Sequence, residues 1–298
     1  MSRPPTFVPP PCATARTLRT ARGDFAVLDA VPPRGVPVAG TVLMLPGFTG
    51  SKEDFIALLE PIAAAGYRAV TVDGRGQYET AGPDDESAYA QEELARDALA
   101  QAAALGDETS AGPGALALLG HSLGGQVARA AVLLAPGTFS SLTLMSSGPA
   151  AITPTQQTRA TMLADAVGVL SMDEVWQAMR AMEPPPPQDA DTGAEDSADD
   201  SEALRARWLR HNPAQLIATA RQLCTEQDRV DELAATPPPK HVLSGERDDT
   251  WPVPLLDDMA HRLRAHRSVI AGAEHSPNTD RPAQTAAALI AFWDRHRA

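Results

Sequence analysis

The chain has 298 residues, enough to bury a sizeable core in one large or two smaller domains without disulfides or metal. Its 38 Asp and Glu outweigh 25 Lys and Arg, for a formal charge of −13. That balance repels phosphate backbones and anionic headgroups, so nucleic-acid binding and electrostatic membrane adhesion are excluded as starting ideas.

The charge is concentrated. Eight acids and no Lys, Arg or His lie between Glu183 and Glu202, leaving only −5 for the rest of the chain. Four consecutive prolines, Pro184 to Pro187, open this run. Proline stops a helix, and the Asp/Glu/Ser/Ala mixture that follows cannot bury a core, so a solvated loop is expected at about 183–202. Cys12 and Cys224 provide neither a disulfide framework nor metal-ligand spacing. Met1 to Cys12 lacks a continuous apolar segment, which argues against a secretory signal. No apolar run approaches the ~18 residues of a membrane span. A cytoplasmic protein with inert thiols is expected.

Residues 1–23 read as a Pro-rich flexible N-terminus. Thr41 to Leu45 is then a short apolar run ending at Pro46-Gly47, the pattern of a buried strand and turn. Lys52 to Ala65 has helical spacing, with Ser51 as N-cap. Tyr67 to Val72 is the next strand, Glu86 to Leu105 a long Ala-rich helix, Ala115 to Leu119 a strand, Leu123 to Leu134 a helix and Phe139 to Met145 a strand. This alternation predicts a mostly parallel sheet covered by helices on both faces.

From about 151 to 236 no strand pattern occurs. Thr158 to Gly168, Ser171 to Met182, Glu202 to His211 and Pro213 to Leu233 read as helices, with a capping box at Ser171 and Glu174. Strands return at His241 to Leu243 and Arg267 to Ile270, with helices over Pro254 to Ala265 and Pro282 to Arg297. The expected organisation is a sheet domain over 24–150 and 237–298, interrupted by a helical lid over 151–236.

Three segments could carry chemistry, and in such sheets the working residues lie beyond the strands' carboxyl ends. Gly120-His121-Ser122-Leu123-Gly124 follows a strand and precedes a helix. A serine at that tight turn is held in strained geometry with its hydroxyl exposed, and small flanking residues avoid backbone collisions. A serine hydroxyl needs a base. Of seven histidines, His275 sits in a loop at a strand's carboxyl end, whereas His241 begins a strand and His121 would leave the turn in another direction. A catalytic imidazole needs a carboxylate. Asp248 and Asp249 are both candidates, in the loop after the strand preceding that of His275.

Taken together, these segments resemble the α/β-hydrolase fold superfamily, specifically serine esterases and lipases with a helical lid. The resemblance spans about 24–297 and has the order nucleophile, acid, histidine. Gly245-Glu246-Arg247-Asp248 with Pro252 resembles the family's acid loop, which favours Asp248. Gly272-Ala273-Glu274-His275 resembles its histidine loop. The resemblance implies an oxyanion hole from the backbone N–H groups of Phe48 and Leu123, although Pro46-Gly47 replaces the usual His-Gly. Asp73-Gly74-Arg75-Gly76 resembles a D-x-R-G segment, read as loop architecture.

The expected activity is hydrolysis of a carboxylic ester, or related acyl bond, of a small, largely apolar molecule. Ser122, His275 and Asp248 would act through an acyl-enzyme, with no metal or organic cofactor. Thioester hydrolysis, C–C bond hydrolysis and acyl transfer would use the same residues. A non-catalytic binding protein on this fold is the rival class. Epoxide and haloalkane hydrolysis are disfavoured, since those relatives use aspartate where Ser122 stands. Met172, Trp176 and Met179 recur at helical spacing in the lid; such a stripe serves to line an apolar substrate pocket, to dock the lid onto the core, or both.

Overall fold

A computed structural model describes residues 3–109, 116–182 and 198–296. Among them, eight strands form one sheet: β1 (Ala13–Thr20), β2 (Gly23–Ala30), β3 (Gly40–Leu45), β4 (Tyr67–Val72), β5 (Leu116–His121), β6 (Phe139–Met145), β7 (Lys240–Gly245) and β8 (His266–Ile270). Their order is β1-β2-β4-β3-β5-β6-β7-β8. β2 runs antiparallel to β1 and to β4, and every pairing from β4 to β8 is parallel.

Helices α1 (Ile56–Ala64), α2 (Gln91–Thr109), α3 (Leu123–Leu134), α9 (Val253–Leu263) and α11 (Pro282–Arg295) cover the sheet, and the short α10 (Pro277–Asp280) precedes α11. Alternate residues of a central strand serve opposite faces. In β3, Leu43 and Leu45 join a core with Ala98 of α2, Val127 of α3 and Leu256 of α9. Val42 and Met44 join a second core with Leu59 of α1 and Phe292 of α11. Both faces being buried, a central strand such as β3 reads as a continuous apolar run. Each such Leu or Val contributes ~1.5–3 kcal/mol on burial.

Between β6 and β7 the chain leaves the sheet for α4 (Pro154–Val169), α5 (Met172–Ala181), α6 (Ala198–Leu209), α7 (Pro213–Thr225) and α8 (Val230–Ala234). This helical insertion has its own small core, including Val167, Trp176, Trp208 and Leu216. The capping box at Ser171 forms, with Ser171 Oγ accepting from Glu174 N–H and Ser171 N–H donating to the Glu174 carboxylate.

The structure corrects several expectations. Residues 13–20 are not flexible but form edge strand β1, hairpinned to β2. Phe7 packs against the core of the insertion. The 213–233 helix is two helices, α7 and α8, and in the turn between them Asp228 accepts from the N–H of Val230, the first residue of α8. The acidic segment lies outside the described residues over 183–197, and its last residues, 198–202, belong to helix α6 rather than to a loop. Acids suit a first helical turn because the helix dipole is positive there.

Candidate active site

The nucleophile candidate sits where β5 becomes α3. Ser122 has φ 54° and ψ −120°, in the positive-φ region that β-carbon sterics disfavour. The turn is close-packed: a β-carbon on Gly120 would stand 2.2 Å from Gly124 O, and one on Gly124 2.4 Å from Leu45 O. Only glycine allows both backbones to approach this closely. Ser122 N–H donates to Met145 O at the end of β6, fixing the elbow to the neighbouring strand.

His275 arrives on the loop after β8. Its Nε2 lies 3.1 Å from Ser122 Oγ, and its Nδ1 lies 2.9 and 3.0 Å from the two Asp248 carboxylate oxygens. The Asp248 side chain is fully buried. Its Oδ1 also accepts from the backbone N–H groups of Thr250 and Trp251, at 2.9 and 3.1 Å. The carboxylate is therefore solvated by fixed donors instead of water. Asp249 points outward, 68% exposed, towards Gln156 and Arg159 of α4. The ambiguity between the two acids is resolved by geometry: Asp248 meets the imidazole and Asp249 does not.

Two sheet-end loops converge on the serine from the other side. Gly47 and Phe48 follow β3, and the β-carbon position of Gly47 is 3.3 Å from Ser122 Cβ. Among the described residues, neither Phe48 N–H nor Leu123 N–H enters a hydrogen bond. Leu123 is the first residue of α3, whose initial N–H groups have no intrahelical acceptor. Loop bracing comes from elsewhere than a His-Gly pair. Gln77 Nε2 donates to Gly47 O at 2.8 Å, and its Oε1 accepts from Gly74 N–H. Asp73 accepts from Lys52 N–H and Nζ, and Arg75 pairs with Asp97. The D-x-R-G segment is thus loop architecture here.

Ser122, His121 and His275 open onto a cavity of about 460 Å³. The sheet domain supplies Ser122, His275 and Phe48; the insertion and the segment leading into it supply Ile152, Ala160, Leu163, Met179, Trp208 and Leu223. Gln156, Arg159 and Asp249 make one polar side. Of the three residues read as pocket-lining, Met179 reaches the cavity. Trp176 is buried within the insertion's own core, and Met172 packs against that core while its carbonyl accepts from Trp208 Nε1. A helical stripe gives a face, not the neighbour it meets, and here most of that face is used to assemble the insertion.

Sequence reasoning missed two supporting residues. His121 turns under the elbow, its Nε2 2.9 Å from His275 O. Trp251 fills the space above Gly148, where a β-carbon would stand 2.1 Å from its ring, and its Nε1 donates to Ala150 O. Gly148 just past β6 was the only sequence signal for the latter.

The profile of the alpha/beta hydrolase family matches residues 42–288. The chain belongs to that family. Similar solved structures extend the likeness over nearly the whole hydrolase chain. One is a thermophilic esterase from Thermogutta terrifontis, 20% identical, with a TM-score of 0.71 over 96% of this chain and 100% of that one. Another is E-2-(acetamidomethylene)succinate hydrolase, 22% identical, with a TM-score of 0.68 over 95% and 99% of the two chains. A third is epoxide hydrolase A from Mycobacterium thermoresistibile, 20% identical, with a TM-score of 0.65 over 95% and 98%. At these identities the likeness is one of fold, and the fold carries several chemistries. A search of curated protein sequences finds no match. No helix among the described residues is long and apolar enough to cross a membrane.

Proposed function

We propose that this hydrolase is a serine esterase that cleaves a small, largely apolar carboxylic ester through an acyl-enzyme. The observation that carries the reading is the line of contacts Ser122 Oγ to His275 Nε2, 3.1 Å, and His275 Nδ1 to Asp248, 2.9 Å. In the first step Ser122 Oγ attacks the ester carbonyl carbon while its proton passes to His275 Nε2. The carbonyl oxygen becomes an oxyanion, taken up by Phe48 and Leu123 N–H. Each such donor is typically worth ~10²–10³ in rate. Collapse breaks the bond to the alcohol oxygen, which receives the proton from His275. Water then attacks the acyl-Ser122 carbonyl, giving its proton to His275. The second tetrahedral species expels Ser122 Oγ, which takes that proton back, and the acid leaves. Asp248 holds the tautomer with Nδ1–H and stabilises the imidazolium formed in each half-reaction.

The insertion acts as the lid over 151–236 in this reading, and its apolar cavity wall supports an alkyl or small aryl acyl group. The test is turnover of p-nitrophenyl esters of increasing acyl length, alongside acyl thioesters and vinylogous diketones. Esters are expected to be the best substrates, with Ser122→Ala abolishing both turnover and labelling by a fluorophosphonate. Wild-type turnover by Ser122→Ala would end the proposal; preference for a thioester or diketone would reassign the bond cleaved. A folded wild type that neither turns over nor labels would point to a binding protein.

A further inference from the structure

The loop that carries Phe48 N–H is fastened by the insertion. Arg207 on α6 places Nη1 2.7 Å from Asp54 Oδ1, and both side chains are wholly inaccessible to solvent. The same Nη1 lies 3.3 Å from Ser51 Oγ. Asp54 is the hub of the loop. Its Oδ2 accepts from Ser51 N–H at 3.3 Å and fills the space where Gly50 would carry a β-carbon, 2.2 Å away. Its carbonyl accepts from Asn278 Nδ2 at 2.6 Å, three residues beyond His275 in sequence. Gly50 N–H in turn donates to Gly47 O, closing the turn that presents Phe48.

A second tie comes from the residue following α6 and Arg210. His211 Nε2 is 3.1 Å from Gly50 O, and its Nδ1 is 3.0 Å from Arg207 O. Burial keeps this ring neutral by pulling its pKa down to about 4, so its single N–H serves one of the two carbonyls at a time. The permanent link is therefore the ion pair, with His211 as the weaker one.

We propose that Arg207 and Asp54 are positioning residues for the oxyanion hole: the insertion sets where Phe48 N–H points, besides covering the cavity. Removing either side of this buried contact takes away a charge-assisted hydrogen bond that fixes Asp54, and the loop built on Asp54 must rearrange to replace it. Such a shift acts on the tetrahedral oxyanion rather than on ground-state substrate, and a displacement near 1 Å can cost ~10² in rate. This inference rests on the serine-esterase reading, so wild-type ester turnover and Ser122 labelling are established first; their absence would overturn both, whereas a failure confined to the variants below overturns this inference alone.

The experiment compares wild type with Arg207→Met, Asp54→Asn and the paired Asp54→Leu/Arg207→Met. Readouts are kcat and KM on a p-nitrophenyl ester, inhibition by a trifluoromethyl ketone that forms a tetrahedral oxyanion on Ser122, and thermal unfolding. Folded single variants are expected to lose at least about tenfold in kcat, with KM within about threefold. The ketone should weaken in parallel with kcat/KM. The paired variant should lose less than the product of the two single losses, because both substitutions break the same contact. If the single variants do not fold, the paired variant decides the matter, its kcat falling and its ketone binding weakening together. Wild-type kcat and ketone affinity in any folded variant lacking the pair would overturn the proposal, as would a loss confined to KM.

Discussion

His121 Nε2 lies 2.9 Å from the carbonyl oxygen of His275. The residue beside the nucleophile candidate thus holds the backbone of the base candidate, 154 positions away in the chain. Burial, and then the neighbouring His275, pull the His121 pKa down to about 4. The ring is neutral above that pH, and its Nε2–H is the proton donated to the carbonyl. Elbow and histidine loop are therefore one mechanical unit, joined by this tether as well as by the contact of His275 Nε2 with Ser122 Oγ.

Replacing His121 by Leu removes that donor from a part-buried carbonyl, a loss of up to ~1–3 kcal/mol. Unfolding temperature should fall accordingly. Turnover should drop about tenfold, because His275 loses a constraint on its approach to Ser122. The check is steady-state kinetics beside a melting curve. Turnover within twofold of wild type would show that the loop holds its place without the tether.

The two adjacent acids should separate sharply. Asp248→Asn keeps the shape but leaves the imidazole without its carboxylate, and comparable replacements lower turnover by ~10⁴. Asp249→Asn should leave turnover within about threefold, since its carboxylate faces Gln156 and Arg159 at the cavity's polar side. Equal losses in both variants would contradict the assignment of Asp248.

How far the sequence reached can be judged from these same residues. The parallel strands were legible because burial on both faces leaves a plain apolar run, as in Thr41 to Leu45. Edge strand β1 was not, because its sequence ATARTLRT buries only Leu18 and follows a proline-rich stretch. Ser122 and His275 were legible from local turn chemistry. Asp248 was separable from Asp249 only by resemblance, since a one-residue difference of direction is decided by the turn, where Thr250 and Trp251 N–H capture one carboxylate. The pairing of Arg207 with Asp54 spans 153 positions, and no local pattern marks either residue as the partner of the other.

Stability should fall on mild acidification. Burial is the leading cause that lowers the pKa of His121 and His211 to about 4 and that of His241 to about 3, each from an ordinary 6.5. Below about pH 6.5 the unfolded chain binds protons that the folded chain refuses, so stability present at neutral pH is lost progressively as pH falls towards 4. Each unit of such a difference is worth ~1.4 kcal/mol. Urea midpoints measured from pH 7.5 to 4.5 should decline, and His241→Gln should flatten part of that slope. A midpoint that holds constant down to pH 5 would refute this account.

Met179 and Trp176 should respond in opposite ways, although both lie on α5. Met179 lines the cavity, whereas Trp176 is buried against Val167, Trp208 and Leu216 inside the insertion. Met179→Trp adds volume to the cavity wall. It should lower kcat/KM for long acyl esters by about tenfold or more while sparing acetate, with little change in unfolding temperature. Trp176→Ala instead empties a packed site, a change that typically costs ~3–5 kcal/mol. It should destabilise the chain yet leave the order of acyl preference intact in whatever protein remains folded. An acyl-length profile altered by Trp176→Ala and untouched by Met179→Trp would mean that the substrate lies on the other side of this helix.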